Sequence, residues 1–465
     1  MTHAAYKNVL PLLGRAAAGL RFENLPTDVV MRAKQRMLDT VGCLVAGYDA
    51  GIAEPIRDYV LAQGGTPEAT LLPGGQKTTV SHACMAHATY MHGLELTDAA
   101  PRGTCHPGNE IVPPALAMAE KLGLGGSAVL AAVVAGYEIE IRFGRAVFPS
   151  AFYRGWWTPG LWGGIGSAVA AAHLMKLDAV AMDNTLGIAV NLLPTAMMRA
   201  NEEGETVKWL LGGQSCAAGL VAAEMAARGV KGMRDVIGGF LPVLANETLP
   251  ERLTEGITGD GHFTQWEIAI GIVTKHYATV GPLFASLDAA FDLINEHNIQ
   301  PDDIVEIHAD VMKRTAVFNA VHPENDVAAR ASLPYCLAVA VCLRDRAALL
   351  GPGFRPEVLR DPVIRANASK VRITENEEYE LLYPARSLAR VTFKLRSGQA
   401  HSAVVDRSER GRYLTPTDAD IEDKFRLLAT GVLGQAKTDK VVALCKRFET
   451  LPDMKELIDA LRVGK

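Results

Sequence analysis

The sequence predicts a mainly α-helical protein with a smaller α/β part inserted towards its C-terminal end. From residue 1 to about 270, apolar residues recur at helical spacing, and no convincing run of alternating polar and apolar residues interrupts them. Beyond that point short alternating runs appear between helical segments. We therefore predict a large all-helical domain of residues 1–270 plus 406–465 and an inserted α/β lid domain of residues 271–405.

In the helical half, apolar spacing and capping residues predict a series of helices. The first begins at Leu25-Pro26-Thr27-Asp28, where a hydroxyl or carboxylate can accept the free N–H groups of a first turn, and Gly47 is its expected end. A loop is expected at 73–76. Further helices are predicted over residues 80–90, 113–121, 129–146, 163–175, 179–190 and 214–227.

In the second half, alternation predicts strands. Residues 305–311 place apolar side chains on one face and polar ones on the other, which is typical of a strand with one solvated face. A second strand is expected at 370–373, and residues 389–395 and 401–405 flank Ser397-Gly398, which indicates a hairpin. Helices are predicted at 284–295, 334–343, 356–359, from Thr417-Asp418-Ala419-Asp420 onward, and at 437–448.

Composition excludes several classes of function. A formal charge of −5 over 465 residues and a pI near 6.2 provide no basic surface for nucleic acid. We find no signal peptide and no apolar run of about 18 residues, so no membrane span is expected. Seven scattered cysteines without a CxxC pair are typical of reduced thiols. We expect a cytoplasmic protein that binds neither nucleic acid nor membrane.

Residues 92–110 are the first candidate functional segment, because they form a polar, Gly- and Pro-rich stretch between two apolar runs. Asp98, Arg102, Thr104 and His106 fall within nine residues of one another. An arginine can clamp a carboxylate with two parallel N–H bonds, a histidine can move a proton near neutral pH, and an acid can orient that histidine. The alternative is that Asp98 caps a turn and that His106 is a satisfied loop residue.

Two further segments are candidates. Residues 152–160 form a loop that carries Tyr153, Arg154 and Trp157, and its aromatic residues fit either a pocket wall or ordinary packing. Lys208 lies beside Trp209 and two leucines, where burial would lower its pKa and make it a base. The alternative for Lys208 is an apolar stem that carries its charge to solvent.

Known cofactor and metal motifs are absent from the sequence. It has no GxxxxGK[ST] phosphate loop, HExxH, GxSxG elbow or EF-hand loop, and its twelve histidines show no metal-ligand spacing. We therefore expect acid–base chemistry that needs neither a cofactor nor a metal.

Taken in order, these segments resemble the MmgE/PrpD family. His92-Gly93-Leu94-Glu95-Leu96-Thr97-Asp98, His106-Pro107-Gly108 and the following Pro113-Pro114-Ala115-Leu116-Ala117 are similar to the family's "HALDFDD…HPS…PAALA.AE". Residues 155–178 resemble "GFHPTG…G…AAAA…LLGLD", and residues 204–208 resemble "DG..TK". Lys275 with Leu287-Asp288-Ala289 resembles "K.YP…H..iDA", and residues 331–335 resemble "FSLPY".

The resemblance implies a homodimer with an active site in the cleft between a helical domain and a lid. It also implies a small di- or tricarboxylate substrate that loses a proton α to a carboxylate. Asp98, Thr104, His106 and Lys208 match the catalytic segments of the family, and Lys275 and Trp157 are expected among the substrate-binding residues.

Two departures from the family pattern set the predicted reaction. Trp157 stands where "GFHPTG" has histidine, and Phe284 stands near the position of the histidine before "iDA". Dehydration and decarboxylation both need a proton donor. The loss of these two histidines therefore favours an epimerase, similar to iminodisuccinate epimerase. We expect Lys208 and either Tyr153 or His106 to exchange a proton on opposite faces of the α-carbon.

In that mechanism Arg102 and Arg154 would bind carboxylates, and Tyr153 would need a nearby cation to lower its pKa. One alternative is a dehydratase or decarboxylase of a 2-methylcitrate- or cis-aconitate-type substrate. Another is a carboxylate-binding protein without catalysis.

Overall fold

A computed structural model describes residues 9–49, 53–409 and 415–463 of the chain. The fold is mainly α-helical, as the sequence predicts. The helices of the first 270 residues are, in order, α1 Val9–Gly19, α2 Thr27–Asp49, α3 Ala53–Ala62, α4 Val80–Gly93, α5 Pro107–Leu122, α6 Gly126–Val147, α7 Ser150–Tyr153, α8 Thr158–Leu174, α9 Ala179–Leu192, α10 Met198–Glu202, α11 Lys208–Ala227, α12 Val236–Gly239, α13 Leu241–Leu244 and α14 Glu267–Ile270.

The prediction that residues 1–270 contain no strand is wrong in one place. β1 (Ala69–Leu71) and β2 (Gln76–Thr78) form a small antiparallel hairpin around the expected loop at 73–76. Each strand has three residues, which is too short for an alternating pattern to be recognised.

The remaining elements include the larger sheet. They are α15 Phe284–His297, β3 Ile304–Val311, α16 Lys313–Ala316, α17 Asp326–Arg330, α18 Leu333–Leu343, α19 Pro356–Leu359, α20 Pro362–Ala368, β4 Val371–Glu375, α21 Glu377–Leu381, β5 Leu388–Leu395, β6 Ala400–Asp406, α22 Asp418–Leu433, α23 Gln435–Lys446 and α24 Lys455–Leu461. The strand order is β4-β3-β5-β6. β3 pairs parallel with β4, and the other two pairings are antiparallel, including the predicted β5–β6 hairpin.

The C-terminal helices return to the N-terminal half. α22 packs along α2, and Lys424 on α22 forms a buried ion pair with Asp39 on α2 at 2.6 Å. Thr417 and Asp420 form the predicted capping box at the start of α22. The division into domains at residues 270 and 406 stays a prediction.

Small residues allow close helix packing in the core. α8 packs against α5, α6 and α11, and all of its residues except His173 are buried. A Cβ atom added to Gly163 would lie 2.2 Å from Cγ of Glu110, and one added to Gly166 would lie 2.2 Å from Oε2 of Glu140. Glycine is therefore required where these two acidic side chains meet α8.

Among the described residues one helix, α11, is long and apolar enough to cross a membrane. It begins with the buried Lys208, and more than half of its most apolar stretch is buried inside the protein. These are properties of a core helix.

The two acids against α8 are fully buried and incompletely hydrogen-bonded. Glu140 has no hydrogen-bond partner for either carboxyl oxygen among the described residues, and Glu110 accepts one bond, from Nδ2 of Asn109 at 3.0 Å. Burial raises the pKa of both carboxyls well above 4.5, with a further contribution from Asp98 and, for Glu140, from Glu110. Both carboxyls therefore keep their protons to a higher pH than an exposed glutamate does.

We predict that Glu140→Gln makes the free energy of unfolding less dependent on pH. The native carboxyl keeps its proton while the unfolded one loses it above about pH 4.5, so stability falls as pH rises, by up to about 1.4 kcal/mol per pH unit. The neutral amide removes this dependence. Urea denaturation between pH 5 and 8 measures the pH dependence of the free energy of unfolding. The control Glu357→Gln, at an exposed position, should keep the wild-type slope. An unchanged slope in Glu140→Gln would contradict a raised pKa of Glu140.

Candidate active site

An irregular segment, residues 94–106, joins the end of α4 to the start of α5. Two of its residues, Glu95 and Thr104, have positive φ angles of 53° and 50°, which costs a non-glycine residue on the order of 1–2 kcal/mol. An isolated bridge pairs Ala99 with Val273. The bridge brings the segment beside residues 271–280, so two parts of the chain far apart in sequence form one wall.

That wall encloses a cavity with an empty volume of about 920 Å³. Aromatic and other apolar side chains cover much of its surface, including Phe152, Trp157, Phe284 and Phe318. Its polar and charged lining consists of Glu95, Thr104, His106, Thr158, Asn201, Lys275, Arg314, Ser387 and Arg407. We refer to it as the inner cavity. A concave, mainly apolar site with a few polar groups is typical of a small-molecule site.

A buried carboxylate holds two lysines at this cavity. One oxygen of Glu95 pairs with Nζ of Lys208, and the other lies 2.9 Å from Nζ of Lys275. Burial acts to raise the pKa of Glu95, but the two ammonium groups outweigh it and hold that pKa well below 4.5. Burial lowers the pKa of Lys208, and Glu95 opposes that shift. Glu95 and Lys275 line the cavity, whereas Lys208 lies behind Glu95.

His106 faces the same cavity in its neutral form. Its Nδ1 lies 2.8 Å from the backbone carbonyl of Asp98, which fits a tautomer that donates from Nδ1. Burial, with Lys275 nearby, lowers the pKa of His106 to about 4. At neutral pH, Nε2 is therefore a proton acceptor.

His92 is a second histidine beside this group. Its ring lies edge-on to Trp157, with centroids 4.5 Å apart, and its centroid is 6.2 Å from that of His106. It is buried, and its Nε2 has no hydrogen-bond partner among the described residues. Burial, and to a smaller extent the charge of Lys208, lowers the pKa of His92 well below 6.5. This ring is therefore also neutral at pH 7.

Asp98 is buried away from the cavity. Its carboxylate accepts hydrogen bonds from the backbone N–H of Gly108 at 2.9 Å and from the Tyr137 hydroxyl at 2.8 Å. Burial raises its pKa. These contacts, together with the His106 bond to its carbonyl, give Asp98 a positioning role. Thr104 does line the cavity, and its hydroxyl lies 2.8 Å from that of Thr158.

Besides Asp98 and Lys208, three more residues predicted from sequence lie outside the lining of the inner cavity. Arg154 is exposed and contacts Asn246 at 3.3 Å. Tyr153 is 55% exposed, and Tyr153 and Arg102 line a neighbouring cavity instead. Burial and a hydrogen bond to Glu380 raise the pKa of Tyr153, so the lowered pKa that a tyrosine base requires is not present.

Several cavity residues are not in the predicted set. Glu95 belongs to the candidate segment 92–110, but a run of polar residues does not show which of them face inward. Arg314 and Arg407 come from α16 and from the end of β6, and no motif marks either one. Among the described residues, no group of three His, Cys, Asp or Glu side chains is placed to hold a metal ion.

Comparison with known proteins covers nearly the whole chain. Residues 12–251 match the family model of the MmgE/PrpD N-terminal domain, and residues 277–447 match that of the C-terminal domain. Cis-aconitate decarboxylase of Aspergillus terreus is 24% identical over 470 residues, which cover 96% of this chain and 94% of the relative. Cis-aconitate decarboxylase of Homo sapiens is 24% identical over 481 residues, covering 98% and 95%. The Mus musculus enzyme is 22% identical, covering 96% and 91%.

The prediction of an isomerase is therefore wrong. These relatives are decarboxylases, which are lyases, and nothing in the comparisons supports a closer relation to iminodisuccinate epimerase. We predicted an isomerase because a site without the two histidines was expected to lack a proton donor. The cavity contradicts that expectation, because Lys275, a side chain able to donate a proton, lines it together with Trp157 and Phe284.

We predict that Glu95→Gln destabilises the protein by about 3–5 kcal/mol, because it leaves two buried ammonium groups without a carboxylate. Urea denaturation at pH 7 measures the loss. Glu449→Gln, which breaks the partly exposed pair with Lys34, is the control and should cost no more than about 1 kcal/mol. Equal losses in the free energy of unfolding for the two substitutions would show that the buried cluster stabilises the protein no more than a partly exposed ion pair does.

Proposed function

This chain belongs to the MmgE/PrpD family, and we propose that it is a lyase that decarboxylates a small tricarboxylate of the cis-aconitate type. The observation that carries the proposal is the placement of Lys275 and His106 together on the wall of one cavity. The decarboxylase relatives, which align over nearly the full chain, support the same reaction.

The charges of the inner cavity suit a polyanion. Lys275, Arg314 and Arg407 line it, and Glu95, the one carboxylate among the described lining residues, is already paired with two lysines. Arginine and lysine bind carboxylates through charge-assisted hydrogen bonds. A substrate with two or three carboxylates is therefore matched, whereas a cation would be excluded.

The apolar wall suits loss of carbon dioxide. Trp157, Phe284 and Phe318 provide surface that cannot solvate a carboxylate. A carboxylate placed against them is destabilised relative to uncharged carbon dioxide, while the other carboxylates remain paired with the cations. The aromatic replacements at 157 and 284 contribute to this wall.

Decarboxylation breaks a C–C bond, releases carbon dioxide and leaves an electron pair on the substrate carbon skeleton. One proton must be added to that carbanion, so each turnover consumes one proton. We assign the donor to the Lys275 ammonium, which lines the cavity, with Lys208 and Glu95 behind it to return a proton. His106, through Nε2, would bind the substrate or relay the proton from solvent.

The homodimer and the cytoplasmic location remain predictions from sequence, as does independence from any cofactor. All three are compatible with a lyase whose chemistry uses side-chain proton donors and acceptors.

The reaction is tested by incubating the purified protein with cis-aconitate in D₂O. We expect release of one carbon dioxide per substrate consumed and one deuterium on carbon in the product, seen by NMR and mass spectrometry. Interconversion of substrate by gain or loss of water, without carbon dioxide, would favour a dehydratase instead. Binding without turnover would favour a carboxylate-binding protein, and either result would overturn the proposal.

We predict that His106→Ala lowers kcat by about 10²–10⁴-fold, as expected for loss of a group that takes part in proton transfer. The steady-state rate of carbon dioxide release measures it, with circular dichroism to check folding. His262→Ala removes an exposed histidine far from the cavity lining and should leave kcat unchanged. Wild-type kcat in His106→Ala would remove His106 from the catalytic group.

A further inference from the structure

A second, outer cavity adjoins the inner one. Its empty volume is about 1650 Å³, and it is lined by four arginines and three glutamates together with apolar residues. The charged lining is Arg102, Arg145, Arg252, Arg314, Glu251, Glu255 and Glu380. Two side chains, Arg314 and Tyr383, line both cavities, so they form the wall between them.

The wall is built around the Arg314 guanidinium. Its Cζ lies 3.8 Å from the centroid of the Tyr383 ring, which is a cation–π contact. Nη2 of Arg314 donates to Glu380 at 2.8 Å and to the Tyr153 hydroxyl at 2.6 Å, and that hydroxyl donates to Glu380 at 2.6 Å. Tyr153 belongs to α7 and Glu380 to α21, so polar contacts between two distant parts of the chain hold the wall.

The arginines of the outer cavity differ in whether they form an ion pair with an acidic side chain. Arg145 is paired with both Glu255 and Glu267. Arg252 donates to the backbone carbonyl of Arg145 at 3.3 Å, and neither Arg252 nor Arg102 forms an ion pair with any residue that the structure describes, although both add to the effect of Arg145 in lowering the pKa of Glu255. Arg102 and Arg252 are both partly exposed. Two guanidinium groups are thus available to an anion from solvent.

We propose that the outer cavity is a capture site for polycarboxylates, and that a captured anion reaches the inner cavity by displacing Arg314 from Glu380. Arg102 and Arg252 bind the incoming carboxylates. Arg314 then exchanges its glutamate for a substrate carboxylate, because its guanidinium already faces both cavities. The choice of polycarboxylate as ligand rests on the proposed function.

This arrangement assigns Arg102 and Tyr153 roles at the entrance. Arg102 steers the anion, and Tyr153 holds the partition closed through its bonds to Arg314 and Glu380. Electrostatic capture acts on the association rate and is weakened by salt, because ions screen exposed charges over about 10 Å at 0.1 M. Neither residue is then expected to alter the chemical step.

The probe is tricarballylate, a saturated tricarboxylate that lacks the double bond of cis-aconitate. Its association is followed by stopped-flow fluorescence, since Trp157 lines the inner cavity. For Arg102→Ala/Arg252→Ala we expect an association rate constant roughly 10-fold below wild type at low salt, and little remaining salt dependence. Steady-state measurements with cis-aconitate should show a matching fall in kcat/KM with kcat unchanged.

Two variants control for charge and folding. Arg228→Ala/Arg372→Ala removes the same net charge from two exposed arginines that line neither cavity, and it should associate like wild type. Arg102→Lys/Arg252→Lys keeps the positive charge and should recover most of the association rate. Tyr153→Phe, which loosens the partition, should raise the rate of tricarballylate dissociation.

The outcomes separate this proposal from the proposed function. Wild-type association in Arg102→Ala/Arg252→Ala, or an equal loss in the Arg228→Ala/Arg372→Ala control, would overturn the capture site even if cis-aconitate is decarboxylated. Arginine-dependent binding of tricarballylate without carbon dioxide release would support the capture site and overturn the lyase. Failure of tricarballylate to bind wild type at all would overturn the capture site.

Discussion

The buried ion cluster of Glu95, Lys208 and Lys275 is the constraint around which the site is built. Removing each charge from water costs several kcal/mol, and that cost is offset only when the partners are held in good geometry. The three residues come from the irregular segment 94–106 after α4, from the first residue of α11 and from the irregular segment 271–280. Their pairing therefore requires three distant parts of the chain to meet at one point.

Other contacts reinforce the same junction. Lys275 also donates to the backbone carbonyl of Glu95 at 3.1 Å, and buried Arg330 donates to the carbonyls of Leu94 and Ala278 at 3.2 and 3.1 Å. Because these bonds hold the backbone on both sides of Glu95, its unfavourable positive φ angle is maintained. The inner cavity lies beside this junction, so the contacts that stabilise the junction also position Glu95 and Lys275 on the cavity wall.

Helices, the hairpin and the capping box could be predicted because their signals are local. Apolar residues at helical spacing place α2, α6 and α9 within a few residues of their observed ends, and alternation places β3, β5 and β6. The β1–β2 hairpin could not be found in this way, since strands of three residues carry no period. Within the candidate segment His106 lines the inner cavity, whereas Asp98 is buried against Tyr137, and the catalytic roles predicted for both stay predictions.

By itself the sequence determined the family, the mainly helical fold and the segment around His106, because ordered motifs and periodic patterns depend only on neighbours along the chain. The tertiary structure alone decided which polar residues share a cavity. Lys275 and Arg314 are separated from His106 by more than 160 positions in sequence, and only packing brings them to its wall. The tertiary structure likewise decided that Lys275, from a distant segment, lines the same cavity as Trp157 and Phe284, which no local pattern in the sequence could show.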